Sequence, residues 1–593
     1  MTTQTPIPSD PRDQRNLFIA VVATMLVIMA WKIFYADPLA QQQAVQQSIN
    51  TQKEQLAAHQ SQPATAPTVE QLPADRASAI RGVSRVQIHT ERLHGSIALK
   101  GMRFDDVTLA DYRETTDKDS PEVVLLTPRT AKAGYFMESG WASTAVRVPD
   151  ANTEWVASHD TLTPTQPVVF SWDNGAGVRF EQEVAVDEGA MFTLTQRVIN
   201  STSEPISLAP YSLINRTVNT SPDAMVISHE GMMGVHEDRL EEYSYEDIEE
   251  KSVHIAAQTK GWAGITDKYW LTALIPDSTQ HVPYTTTYQH YVGQGDHRYQ
   301  VDMLGEVITV PASGTHTQLV RMFSGAKEVD LLTSYEQSYQ IPLFERAIDF
   351  GVLYFLTRPI FSALQFLNSM IGNVGIAILV LTVLIKALMF PLANKSYASM
   401  SQMKLLMPKM KELQERYADD RLKMNQEIMG MYKEEGVNPA SGCLPLVLQI
   451  PVFFALYKVL YVTIEMRHAP FYGWIHDLSA ADPTNIFTLF GMIPWDPPFQ
   501  MMHIGIWPLI MVVTMIIQQR LNPKPSDPTQ AQVMMFMPYI FLFMCASFPV
   551  GLVIYWAWNN VLSITQQMMI MRRFQKLYDP ITGKRLVPIK KRK

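Results

Sequence analysis

The sequence predicts a membrane α-helical bundle of six spanning helices joined to an all-β sandwich domain that lies outside the bilayer. Three observations lead to that class. The 593-residue chain divides into a polar first half and an apolar second half. The second half holds five apolar stretches near the length that crosses a hydrocarbon core about 30 Å thick, and a sixth lies close to the amino terminus. Between them, residues 80–335 carry short runs of alternating apolar and polar residues, punctuated by Gly, Pro, Asn and Asp.

Taken in order, residues 1–16 are polar and place Arg12 and Arg15 before the apolar run 17–36. The length of that run and the FYADP that follows favour an uncleaved anchor over a signal sequence, whose core is shorter. Retention of the two arginines on the inner side then sends the chain outward. Residues 37–79, rich in Gln, Ala, Ser, Thr and Pro, bury too little apolar surface to fold and read as a disordered tether. RVQIHTERL, GVRFEQEVAV and MFTLTQRVI then give the sandwich its strands. Glu181, Glu183 and Asp187 alternate with apolar residues there, which assigns them to the wet face of a sheet rather than to catalysis.

Residues 341–372 turn helical. Ile360, Phe361, Leu364, Leu367 and Ile371 recur at helix spacing, so this segment either lies along the outer membrane interface or belongs to the sandwich core. Its position before a span favours the interface. The spans are 373–393, 444–464, 504–519, 533–549 and 551–571. An amphipathic helical hairpin, 394–440, joins the first two, with Met400, Met403, Met407 and Met410 spaced along one face and Met424, Ile428 and Met431 along a second helix. Those methionines either meet varied apolar partners or pack on each other. Loop charge orients the bundle. Lys and Arg crowd 394–440, occur in the loop 520–532 and form the tail 572–593, whereas the outer loop 465–503 offers only Arg467. Both termini are therefore expected inside.

Lys386 stands within the apolar run from Val374 to Leu392. Its backbone lies about 12 Å inside the inner face, counting 1.5 Å per residue. A lone lysine at that depth either snorkels to the surface or lines a watery cavity with polar partners at its own level. Gln449 on the next span reaches a similar depth, and Thr382 is one turn away on the same helix. Thr514, Gln518 and Gln519, and Asn559, Asn560, Ser563, Thr565, Gln566 and Gln567, add polarity to the inner halves of later spans. Gln518, Gln519, Gln566 and Gln567 suit ordinary contacts between helices or interfacial ends. Lys386, Thr382 and Gln449 favour a hydrophilic cavity open to the inner side.

The chemistry excluded is as telling. No Asp or Glu interrupts the five later spans, which removes the paired acids of an intramembrane aspartyl protease and the carboxylate relay of a proton-driven carrier. Only Cys443 and Cys545 occur, so there is neither a disulfide framework nor a cysteine-based zinc motif. No Walker A, GxSxG, GxGxxG or HExxH motif appears in its required context, and no metal or other cofactor is expected. The net charge of −8 hides an acidic stretch from Glu237 to Glu250 and a basic tail ending Lys590, Lys591, Arg592, Lys593, suited to an anionic partner.

LTVLIKALMFPLANKSYASMSQMKLLMPKM, GVNPASGCLPLVLQIPVFFALY, MPYIFLF and FPVGLVIYW, in that order, resemble the YidC/Oxa/Alb family of membrane protein insertases. GWAGITDKYWLTALIP resembles the large periplasmic domain of its Gram-negative members. The resemblance implies a non-enzymatic bacterial inner-membrane insertase and chaperone for nascent membrane proteins. It further implies a periplasmic β-supersandwich and a five-helix core around a hydrophilic groove. The partners implied are the lipid bilayer, the Sec translocon (SecYEG and SecDF), the ribosome and the signal recognition particle machinery, with no DNA. By position, Lys386, Thr382 and Gln449 match the groove, and Ile450, Phe453, Tyr555 and Trp556 match a slide along which a substrate helix leaves. Members generally carry arginine where this chain has Lys386. Lysine keeps the charge without the forked geometry that grips a carboxylate with two bonds. The stretch 491–503 resembles an outer insertion. A small-solute transporter and a periplasmic enzyme are the alternatives, and no inverted repeat supports the first.

Overall fold

The computed structural model describes residues 75–218, 228–280, 282–293, 296–417, 420–435, 444–490, 492–493, 495, 502–522 and 528–575. The amino-terminal anchor, most of the tether and the basic tail beyond residue 575 lie outside the described residues. A short helix, α1 (Arg76–Arg81), occupies the end of the stretch that reads as a tether, because Asp75 caps it by accepting from the Ser78 N–H.

The β-rich segment forms two sheets. The first has eleven strands. Its main path runs Val253–Gln258, Tyr284–Gly293, Asp296–Gly305, Ile206–Val218, Tyr135–Ala142, Arg103–Arg113, Leu93–Ala98, Arg85–His89 and Thr161–Leu162. The second has nine, in the order Arg239–Ser244, Gly231–His236, Gly261–Thr266, Trp270–Pro276, Thr315–Ala326, Met191–Asn200, Val178–Val186, Val168–Asp173 and Val156–Ala157. The strand pairings are antiparallel apart from Arg85–His89 with Thr161–Leu162.

Alternation decides which face is buried. In Val178–Val186 the residues Val178, Phe180, Gln182, Val184 and Val186 are buried, while Arg179, Glu181 and Glu183 point outward. Phe104 of one sheet meets Phe192 of the other edge to face, with centroids 5.2 Å apart. Two inward glutamines donate across the core: Gln182 Nε2 to the Ser139 carbonyl at 3.1 Å, and Gln196 Nε2 to Ser139 Oγ at 2.9 Å. Asp187 organises a turn instead of simply facing water. Its Oδ1 accepts from the N–H groups of Gly189, Ala190 and Met191 and from the Tyr335 hydroxyl.

Helix α2 (Tyr245–Glu250) lies within this domain and α3 (Val329–Ser338) follows its last long strand. The apolar half comprises α4 (Tyr354–Ile371), α5 (Val374–Arg416), α6 (Arg421–Glu434), α7 (Leu444–Val462), α8 (Ile506–Leu521), α9 (Pro528–Cys545) and α10 (Val550–Gln575). Helix α4 starts at Tyr354 rather than near residue 341. It buries Ile360, Phe361 and Leu364 and leaves Phe355, Phe366 and Met370 exposed. Gly372 ends it with φ 74°, and Asn373 caps α5 by accepting from the Ile376 N–H. Helix α5 runs on through residue 393, where the change in polarity predicts the end of the span, and contains both Pro391 and Pro408. Among the described residues, Val374–Lys404 alone is long and apolar enough to cross a membrane, and Gln449–Val462, Ile506–Leu521 and Gln532–Cys545 are shorter apolar helices.

The far end of α7 is tied to the β domain and to the segment that follows it. Lys458 Nζ bonds Asp349 Oδ2 at 2.6 Å, Lys268 Nζ lies 3.7 Å from the centre of the Tyr461 ring, and an Arg467 guanidinium N–H donates to the Arg113 carbonyl at 2.7 Å. Glu465 Oε1 accepts from the Val329 N–H at 3.3 Å, while its Oε2 is buried without a partner among the described residues. Burial, aided by Glu328 and Asp330 and opposed by backbone donors, pushes this carboxyl up to about 7. The folded chain thus keeps the proton to higher pH than an unfolded glutamate, whose value is near 4.5. The associated stability is intact below that value and is lost as pH rises toward about 7. Glu465→Gln is therefore expected to stabilise the detergent-solubilised chain by about 1–3 kcal/mol above neutral pH and to change little in acid. Thermal unfolding at two pH values checks this; an equal shift at both would leave the titration without a role.

Candidate functional site

Apolar side chains hold α5, α7 and α10 together, and a polar cluster sits among them. Lys386 on α5 is half-buried. Its Nζ donates to Ser563 Oγ on α10 at 2.9 Å and to Gln449 Oε1 on α7 at 3.3 Å. The Gln449 amide then donates to the Tyr555 hydroxyl at 2.9 Å. Ser563 in turn donates to the Asn559 carbonyl at 2.8 Å. Each first partner of the ammonium is a neutral oxygen. No carboxylate pairs with Lys386 among the described residues, so its positive charge is uncompensated there.

Of the expected groove residues, Lys386 and Gln449 meet directly. Thr382 lies one turn away, buried, with its hydroxyl turned back to the Ile378 carbonyl at 2.7 Å, the usual way a threonine satisfies itself within a helix. Ser563 is legible in the sequence only as one polar residue among several. The 4 and 3 spacing of Asn559, Ser563 and Gln566 puts them on one face of α10, and that face turns toward α5. Gln566 Nε2 reaches Asn394 Oδ1 at 3.2 Å, Asn560 Nδ2 reaches Thr514 Oγ1 at 3.1 Å and Gln567 Nε2 reaches Asn522 Oδ1 at 3.1 Å. Much of this polarity therefore fastens helix to helix. Lys386 differs in being charged.

The expected slide divides in two. Phe453 packs edge to face on Trp556 with centroids 4.9 Å apart, and Phe541 does the same from α9. Ile450 is 45% exposed and the neighbouring Phe454 53%, so this side of α7 presents apolar surface. Tyr555 is only 2% exposed and its hydroxyl serves Gln449, which puts it behind that surface and beside the polar cluster.

In the hairpin, Met410 is buried and the Tyr432 hydroxyl approaches its Sδ at 3.5 Å, while Ile428 of α6 is also buried. Met400, Met403 and Met407 are half-buried. Met410 thus serves packing between α5 and α6. Lys590, Lys591, Arg592 and Lys593 lie outside the described residues.

Comparison with known proteins covers both halves. Residues 85–363 match the family described as YidC periplasmic domain, and residues 366–577 match that described as 60Kd inner membrane protein. A membrane protein insertase YidC from Rickettsia conorii is 47% identical over 562 residues, covering 94% of this chain and 98% of the relative; one from Rickettsia bellii is 46% identical over the same span. Among solved structures, an active YidC insertase with its first transmembrane domain resolved covers 82% of this chain and 93% of its own, at 15% identity and a TM-score of 0.33. A galactose mutarotase related enzyme from Lactobacillus acidophilus covers 40% of this chain and 97% of its own, at 9% identity and a TM-score of 0.30. The matched family is one of insertases, not enzymes. With a β-sandwich matching the periplasmic domain, a helical second half matching the inner membrane protein, and near-half identity over almost its whole length, the chain belongs to the membrane protein insertase YidC family.

Proposed function

We propose that this chain inserts nascent inner-membrane proteins by admitting a substrate's short polar tail to the cluster around Lys386 while the adjoining apolar segment enters lipid beside α7 and α10. One observation carries the reading: a cation among apolar helices, held by neutral oxygens alone among the described residues. An anionic tail would replace those oxygens with a charge-assisted partner, lowering the cost of leaving water. Exposed Ile450 and Phe454, backed by Phe453 and Trp556, offer apolar surface on which the substrate's hydrophobic face could slide.

The six-span topology, with both termini cytoplasmic and the β domain periplasmic, belongs to this proposal and draws on the loop charges and the inner-membrane family match. The half-buried Met400, Met403 and Met407 would receive substrate on the cytoplasmic side, and the basic tail would meet the ribosome. The Sec translocon (SecYEG and SecDF) and the signal recognition particle machinery are proposed partners on the family's account.

Reconstitution tests the reading directly. Purified chain in liposomes should protect a short single-span substrate from added protease several-fold better than empty liposomes. Equal protection would refute insertion by this chain.

A further inference from the structure

We propose a transition-metal site on the β domain, formed by Glu249, His290 and His297, with the donor set of a Zn²⁺-class ion. The three belong to separate elements: Glu249 to α2, His290 to strand Tyr284–Gly293 and His297 to strand Asp296–Gly305. In the register of those strands, His290 pairs with Tyr299 and His297 with Val292, so the two imidazoles are diagonal neighbours on one face.

Distances favour a shared ion. His290 Nε2 and His297 Nδ1 are 3.1 Å apart, and His297 Nδ1 is 3.3 Å from Glu249 Oε1. One ligand atom from each of the three residues falls within 4.8 Å of the others. Two ligands held about 2.0–2.1 Å from zinc at a tetrahedral angle stand roughly 3.3 Å from each other, close to both observed separations. The ring centroids are 5.0 Å apart, and two imidazoles sharing such an ion would place theirs at about 5 Å. Two nitrogens and one carboxylate suit Zn²⁺, Ni²⁺ or Cu²⁺ better than Mg²⁺ or Ca²⁺, and the fourth position is left to water.

The outer groups resemble those that orient ligands in metal sites. The Tyr299 hydroxyl donates to Glu249, and the Tyr299 ring packs on buried Tyr245 with centroids 4.4 Å apart. Ser244 and Asp247 form a capping box that fixes the start of α2. Glu249 is therefore presented by a braced helix, oriented by a positioning hydroxyl. Bound metal would clamp α2 to the hairpin formed by these two strands of the first sheet.

The experiment is titration of the full chain in detergent with Zn²⁺ alone, followed by Co²⁺ to read coordination from its visible spectrum. One equivalent should bind, with a tetrahedral cobalt spectrum and a rise in the unfolding temperature. His290→Gln combined with His297→Gln should abolish all three responses. Glu249→Gln keeps shape and guards against misfolding of the double variant, and should weaken binding about tenfold or more; Tyr299→Phe should act in the same direction. Absence of stoichiometric binding to the unaltered chain, or binding that survives in a folded His290→Gln/His297→Gln variant, would overturn the site and leave insertion in liposomes untouched.

Discussion

Lys386→Glu is expected to abolish insertion of a substrate with an acidic tail, Lys386→Gln to slow it by roughly 10–100-fold, and Lys386→Arg to leave it nearly intact. The ordering follows from charge. At an effective dielectric near 20, two unit charges about 4 Å apart interact by about 4 kcal/mol. Part of that is spent in releasing the ammonium from Ser563 and Gln449, leaving a few kcal/mol to favour an arriving carboxylate. Glutamine removes the attraction; glutamate reverses it. Arginine restores the charge and adds two parallel donors. Insertion rates in liposomes measure the series. A second substrate with a neutral tail separates electrostatics from damage, because it should respond weakly to Lys386→Gln. Equal rates for all three variants would remove the electrostatic role.

How far this site is legible in the sequence depends on what periodicity encodes. Counting residues along antiparallel spans gives depth, and depth alone sets Lys386 level with Gln449, the residue its ammonium meets. It gives no angle about the helix axis. That is why Ser563 does not stand out from its polar neighbours; Tyr555 is placed on the slide only by its position in the family resemblance, and its hydroxyl meets Gln449. The strands are easier, since a period of two leaves only two faces to choose between, as Val178–Val186 illustrates. Helix boundaries are harder. The end of the span expected at residue 393 rests on a change from apolar to polar residues, which alters what a helix can pack against but not its hydrogen bonding, so α5 runs unbroken to Arg416. Met410 falls to packing because a flexible thioether fills a gap wherever one forms.

Arg85→Met should destabilise the β domain by about 3–5 kcal/mol, the largest single-residue loss expected there. Arg85 and Asp105 form an ion pair whose side chains are only 4% and 5% exposed. Arg85 Nε also donates to Ser96 Oγ at 2.7 Å, Ser96 donates to Asp106, and Arg76 closes the network by pairing with Asp106. Burial already raises the Asp105 carboxyl, with Arg85 opposing the rise. Without Arg85 that opposition disappears. The folded-state value climbs further, so the loss is full above that raised value and shrinks as pH falls toward the unfolded value and the carboxyl becomes neutral on both sides of the equilibrium. Arg85→Met with Asp105→Leu should recover most of the stability, because an apolar pair of similar volume leaves no stranded charge. Thermal unfolding of the full chain reads both. The same variants test the division of labour. If the β domain spaces or docks while the helices insert, Arg85→Met lowers its unfolding temperature yet insertion in liposomes persists, as it should after deletion of residues 80–330. A parallel fall in insertion, with the helices still folded, would show that the β domain takes part in the transfer itself.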